Sequence, residues 1–97
     1  MTFRDQLNEV NDLGISICEL EVANECDCIF NFEYTDEEFE ELCSFALYCY
    51  LKDCSGQIAP MHIARAIQEL IVEDKKTVDE VISMNKWDML EKASYQL

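Results

Sequence analysis

Residues 15–34, ISICELEVANECDCIFNFEY, decide the fold, because they carry an alternating and a helical pattern at once. From Cys26 to Tyr34 the chain alternates, with Cys26, Cys28, Phe30, Phe32 and Tyr34 on one side and Asp27, Ile29, Asn31 and Glu33 on the other. A two-residue period rich in aromatic residues is the signature of a half-buried strand. Upstream, Ser16, Cys18, Leu20 and Val22 alternate with Ile17, Glu19 and Glu21. The link Ala23-Asn24-Glu25 is short, and asparagine tolerates a left-handed backbone. The alternation predicts a β-hairpin with strands over 15–22 and 26–34 and its acids on the outer face. The competing reading carries a preceding helix through Gly14 as far as Val22.

The next stretch, Thr35 to Cys54, is TDEEFEELCSFALYCYLKDC. Thr35 and Glu38 stand at capping-box spacing, and Asp36, Glu37 and Glu38 fill a first turn where acids complement the helix dipole. From Leu42 to Leu51 only Ser44 interrupts an apolar run. At about 100° per residue most of these side chains share one broad arc, while Phe45 and Tyr48 fall on the far side beside Glu41 and Lys52. A helix apolar on both sides is normally central. Where the rest of the domain leaves Phe45 and Tyr48 uncovered, that second face is a site for another protein.

The flanks read as further helices. Phe3, Leu7 and Val10 lie at helical spacing over 2–13, with Gly14 as a stop. Beyond the central helix, Gly56 is a C′ candidate and Pro60 sits at the first turn of a helix whose stripe is Ile63, Ala66, Ile67, Leu70 and Ile71. Thr77 and Glu80 repeat the capping-box spacing ahead of a last segment that breaks near Asn85-Lys86. The expected fold is α+β, in the order α-β-β-α-α-α: one domain spanning 1–97, dominated by helices, with one antiparallel hairpin and a central two-sided helix over 35–54.

Charge narrows the function. The chain holds 21 acids against 7 bases, a net −14, and no base occurs between Arg4 and Lys52. Thirteen of the acids fall in that interval. Such a distribution creates a strong negative field over half the molecule and excludes direct binding of DNA or RNA through that surface. No apolar run approaches the ~18–20 residues needed to span a bilayer, and no basic n-region precedes one at the N-terminus. The expectation is a soluble, cytoplasmic protein.

Catalytic chemistry finds little support. Six cysteines without targeting evidence read as free, apolar thiols rather than a disulfide framework. Cys26 and Cys28 would share one face of a strand, but no paired C-x-x-C knuckle completes a zinc site. His62, the single histidine, lies off the Ile63/Ile67/Leu70 stripe on a polar face, and nothing orients it toward a Cys54 nucleophile. No phosphate-cradling glycine loop is present. No enzyme, metal or cofactor is expected. Leu51 to Ile63, LKDCSGQIAPMHI, resembles an EF-hand loop at Gly56 and Ile58, with Leu51 and His62 where that motif requires Asp and Glu. Residues 58–67 resemble the second loop and third helix of the histone fold; neither resemblance carries a function over.

The leading expectation is therefore a non-enzymatic binding protein whose acidic surface occupies a basic, nucleic-acid-binding site on another protein, such as a nuclease or a CRISPR effector. In size, charge and lack of catalytic motif the chain resembles the nucleic-acid mimics of phages and mobile elements, including anti-CRISPR and anti-restriction inhibitors. Glu19, Glu21, Glu25, Asp27 and Glu33 would face the partner from the hairpin, joined by Asp36, Glu37, Glu38, Glu40 and Glu41. Phe45 and Tyr48 would supply the apolar anchor, or pack a homodimer. The alternative is a homo-oligomeric structural or adaptor protein whose acids only confer solubility.

Overall fold

A computed structural model describes residues 15–53 and 56–97, with the side chains of 15–18 left aside. Five helices follow one another: α1 (Ile15–Ile29), α2 (Asp36–Lys52), α3 (Pro60–Val72), α4 (Val78–Ile82) and α5 (Lys86–Ser94). Among the described residues there is no strand, so the domain is helical and the expected α+β hairpin is overturned. The helix expected over 2–13 lies outside the described residues.

The correction has a physical cause. Val22, Cys26 and Phe30 recur every fourth residue, and all three are buried. That stripe can be satisfied by one helix packed on α2 and α3, which α1 is. A helix also closes its backbone hydrogen bonds internally, whereas a strand over 26–34 would need a partner of matching register. The ladder runs to its end, with the Phe30 amide donating to the Cys26 carbonyl at 2.9 Å. The next amide, Asn31, donates to Gln68 Oε1 on α3 at 2.8 Å. Residues 30–34 then form an irregular link with a bend at Phe32, and the alternation read there is real but belongs to a connector without a strand beside it. Cys26 and Cys28 consequently do not share a face: Cys26 is buried and Cys28 exposed.

The start of α2 follows its sequence closely. Thr35 Oγ1 accepts from the Glu38 amide at 3.1 Å, and Glu38 Oε1 accepts from the Thr35 amide at 2.9 Å. The same reciprocal pair starts α4, between Thr77 and Glu80. At α3 the capping residue is Ala59, which offers no side-chain acceptor, and only half of the box survives: His62 Nδ1 accepts the Ala59 amide at 2.9 Å. The histidine is thus half-buried and engaged at a helix start rather than displayed on a polar face. Asn85 caps α5 through Oδ1 to the Trp87 amide at 2.7 Å.

Both α2 and α3 pack against all four other helices. Leu42, Phe45, Ala46, Leu47 and Cys49 of α2 are buried together with Ile63, Ala64, Ala66, Ile67 and Leu70 of α3. Val81 of α4 and Met89, Leu90 and Ala93 of α5 close the same core. No helix among the described residues is long and apolar enough to cross a membrane.

A helical α1 is separable from a hairpin by proline. Asn24 is exposed in mid-helix, where Asn24→Pro should cost ~3 kcal/mol or more while Asn24→Ala is neutral or slightly stabilising. Urea denaturation of the two variants checks this; equal stability of the proline variant and wild type would restore the turn at 23–25.

Candidate functional site

The acids that the sequence groups on one hairpin face are divided by the helix. At about 100° per residue, Glu19 and Asp27 fall to one side of the Val22–Cys26 stripe, and Glu21 and Glu25 to the other. Glu21 and Glu25 accordingly line a groove with Pro60 and Met61 at the start of α3. Glu19 lies across a cavity of about 210 Å³ from Glu40, Cys43, Ser44 and Leu47 of α2. The one hairpin surface is therefore replaced by two acidic flanks of α1.

A denser cluster forms where α1 passes into α2. Glu33 in the link and Asp36, Glu37 and Glu40 in the first turns of α2 are exposed, as is Asp27 near the end of α1. Asp27 and Glu40 both lie close enough to Cys43 to disfavour its thiolate. Glu38 and Glu41 are half-buried, and the Glu38 carboxylate is committed to the Thr35 amide. It shapes the helix end instead of projecting from it.

Within this acidic end sits a group of rings that the sequence shows only as a strand pattern. Phe30 packs on Phe32 at 5.0 Å between centroids, Phe32 on Tyr34 at 5.4 Å, and Tyr34 stacks on Phe39 of α2 at 5.3 Å. Phe30 also meets Phe39 and Tyr34 edge-on, at 6.2 and 6.3 Å. Phe30 is buried, whereas Phe32, Tyr34 and Phe39 are half-buried. The Thr35 capping box immediately after Tyr34 is the signal for this arrangement: it leaves the aromatic run as a helix lead-in.

The proposed apolar anchor fares differently. Phe45 is 1% exposed and belongs to the core, so the domain does cover the second face of α2 at that point. Tyr48 is half-buried, with Lys52 Nζ 5.9 Å and Lys86 Nζ 5.7 Å from its ring centroid. The far side of α2 thus carries cations over an aromatic ring. Along an α-helix, Lys52 is about 24 Å from Asp36, several times the ~8 Å Debye length at physiological ionic strength. Lys52 is therefore too far along the helix to offset the charge of its first turn.

Two thiols complete the region. Cys26 of α1 and Cys43 of α2 lie near enough to influence each other's proton affinity. The Cys43 side chain, together with burial, pushes the Cys26 thiol well above its ordinary range. The same proximity lowers Cys43, against the opposing effects of burial and of Asp27 and Glu40. Cys49 is pushed up to about 12 by burial. Beside Cys43, Ser44 is 3% exposed and its hydroxyl has no hydrogen-bond partner. Among the described residues no group of His, Cys, Asp and Glu has the arrangement of a metal site. No protein family, no characterised protein and no solved structure matches the chain.

The place of Phe45 can be checked directly. Phe45→Ala should destabilise the domain by about 3–5 kcal/mol, as for other buried phenylalanines, measured by chemical denaturation. A loss below ~0.5 kcal/mol is what a surface substitution gives and would return Phe45 to the surface.

Proposed function

We propose that this chain is a non-enzymatic binding protein whose acidic end competes with nucleic acid for a basic surface on another protein. The observation that carries this reading is the segregation of charge. Ten acids and no base lie between Glu19 and Leu51, and five of the six exposed ones, all but Glu21, fall at the α1–α2 junction. Asp36 and Glu40, and Glu37 and Glu41, are each one helical turn apart, about 5–6 Å between Cβ atoms. A row of carboxylates at that spacing offers Lys and Arg side chains a charge ladder in place of phosphates. Long-range attraction brings such a pair together quickly but supplies little affinity by itself. The half-buried rings of Phe32, Tyr34 and Phe39 supply the apolar contact, taking the part first given to Phe45 and Tyr48.

The test pairs capture with competition. Tagged protein should retain a basic nucleic-acid-binding protein at about 0.1 M salt and release it toward 1 M, where the Debye length falls to ~3 Å. Duplex DNA should displace the same partner. A variant carrying Asp27→Lys, Glu33→Lys, Glu37→Lys and Glu40→Lys should keep its helical circular dichroism and lose capture. A folded variant that captures the partner as well as wild type would sink the proposal. Salt-insensitive self-association, with no other protein retained, would favour the homo-oligomeric alternative.

A further inference from the structure

The cavity of about 210 Å³ between α1 and α2 is graded from its mouth inward. Glu40 is exposed and stands at the mouth, while Ala23 and Phe39 are half-buried and form the sides. Ser44 and Leu47, at 3% and 1% exposure, close the inner end. Glu40, Ser44 and Leu47 share one face of α2, so that face runs from a carboxylate through a hydroxyl to an apolar end. The Ser44 hydroxyl has no hydrogen-bond partner. A buried hydroxyl left unpaired is destabilising, and here it lines a space that an occupant can enter.

Size, polarity and charge together describe that occupant. An apolar cavity of about 150 Å³ accepts benzene, and drug-sized ligands need roughly 300 Å³ or more. About 210 Å³ therefore holds one aromatic ring with a short chain. Ala23, Phe39 and Leu47 suit the ring, and Ser44 is left for a hydrogen-bonding group on it. A buried water needs about two to four polar partners, and of the two side chains at the inner end only Ser44 offers one. At the mouth, Glu40 and nearby Asp27 both bear on the neighbouring Cys43, a field that attracts cations and repels anions. We propose that the α1–α2 cavity binds a single-ring arylalkylamine bearing a ring hydroxyl, with the ring against Phe39 and Leu47, the hydroxyl on Ser44 Oγ and the ammonium beside Glu40. Glu40 and Ser44 are one helical turn apart, about 5.4 Å along the axis, and the glutamate side chain adds to that reach. One such molecule spans both groups.

Tyramine is the probe, with phenethylamine lacking the hydroxyl and para-hydroxyphenylacetate reversing the charge. Calorimetry on the full chain should show one equivalent of tyramine binding saturably, and the methyl resonances of Ala23 and Leu47 should shift with it. Phenethylamine should bind about five- to tenfold more weakly, the loss of one hydrogen bond. The anion should bind at least about tenfold more weakly at low salt, with added salt narrowing the gap. Ser44→Ala should fold, melt no lower than wild type, and bind the two amines within about twofold of each other. Ala23→Leu fills the cavity and should abolish tyramine binding while keeping its helical circular dichroism; this variant and the ligand series decide the matter if Ser44→Ala does not fold. No saturable binding at millimolar tyramine, shifts that spare Ala23 and Leu47, equal affinity for tyramine and phenethylamine in the wild type, or a Ser44→Ala protein that still prefers tyramine would each overturn the proposal.

Discussion

From Leu42 onward α2 buries side chains on nearly all sides, and that requirement organises the domain. Leu42, Phe45 and Cys49 face one way, while Ser44 and Leu47 face another, yet all five are buried. A helix of this kind is stable in water only inside a sleeve of other helices. α1, α3, α4 and α5 supply it, and α3 becomes central in turn because it also meets every other helix. Buried alanines at positions 46, 64, 66 and 93 let the helices approach closely without leaving voids. Among the described residues the one buried polar side chain is Ser44, whose unpartnered hydroxyl costs stability wherever it cannot reach water.

Electrostatics is subordinate to that packing, and it is what packing leaves outside. The interior takes the apolar residues of α2, so its acids collect in the first turns, where the helix dipole and the caps favour them. The lysines near its other end settle over Tyr48, and Lys86 also lies over Trp87 at 5.1 Å. Lys92 bridges Glu69 and Asp74 at 3.4 Å each, so part of the basic charge is spent within the C-terminal half. The negative field of the α1–α2 junction has no such internal counterweight among these contacts.

The parts of the fold that were legible in the sequence were those written in local chemistry. The Thr35/Glu38 and Thr77/Glu80 boxes, Pro60 at a first turn and the stripe of α3 are all settled within four residues of chain, and the structure shows each of them. The α1 segment departs from its local pattern because the evidence for a helix there is tertiary. Val22, Cys26 and Phe30 are a helical stripe only once α2 and α3 stand against them, while the competing alternation from Cys26 to Tyr34 is visible locally. The site suffered in the same way. Residue type and charge located the acids, but which of them share a surface depends on helical angle, and whether Phe45 is covered depends on distant residues. The proximity of Cys26 to Cys43 joins positions seventeen apart that no spacing rule connects.

The link from Phe30 to Tyr34 is short, lacks hydrogen bonds of a strand, and would be a floppy tether in most domains. Here its rings lock against one another and against Phe39, while Gln68 holds the Asn31 amide. Its conformational entropy has been surrendered during folding. A partner that docks on this segment meets a surface already set in one shape, and loses less freedom on association than it would by ordering a loose loop. For any partner that docked there, rigidity at the junction would lower the entropic cost of association, a property that the number of carboxylates on the surface does not control.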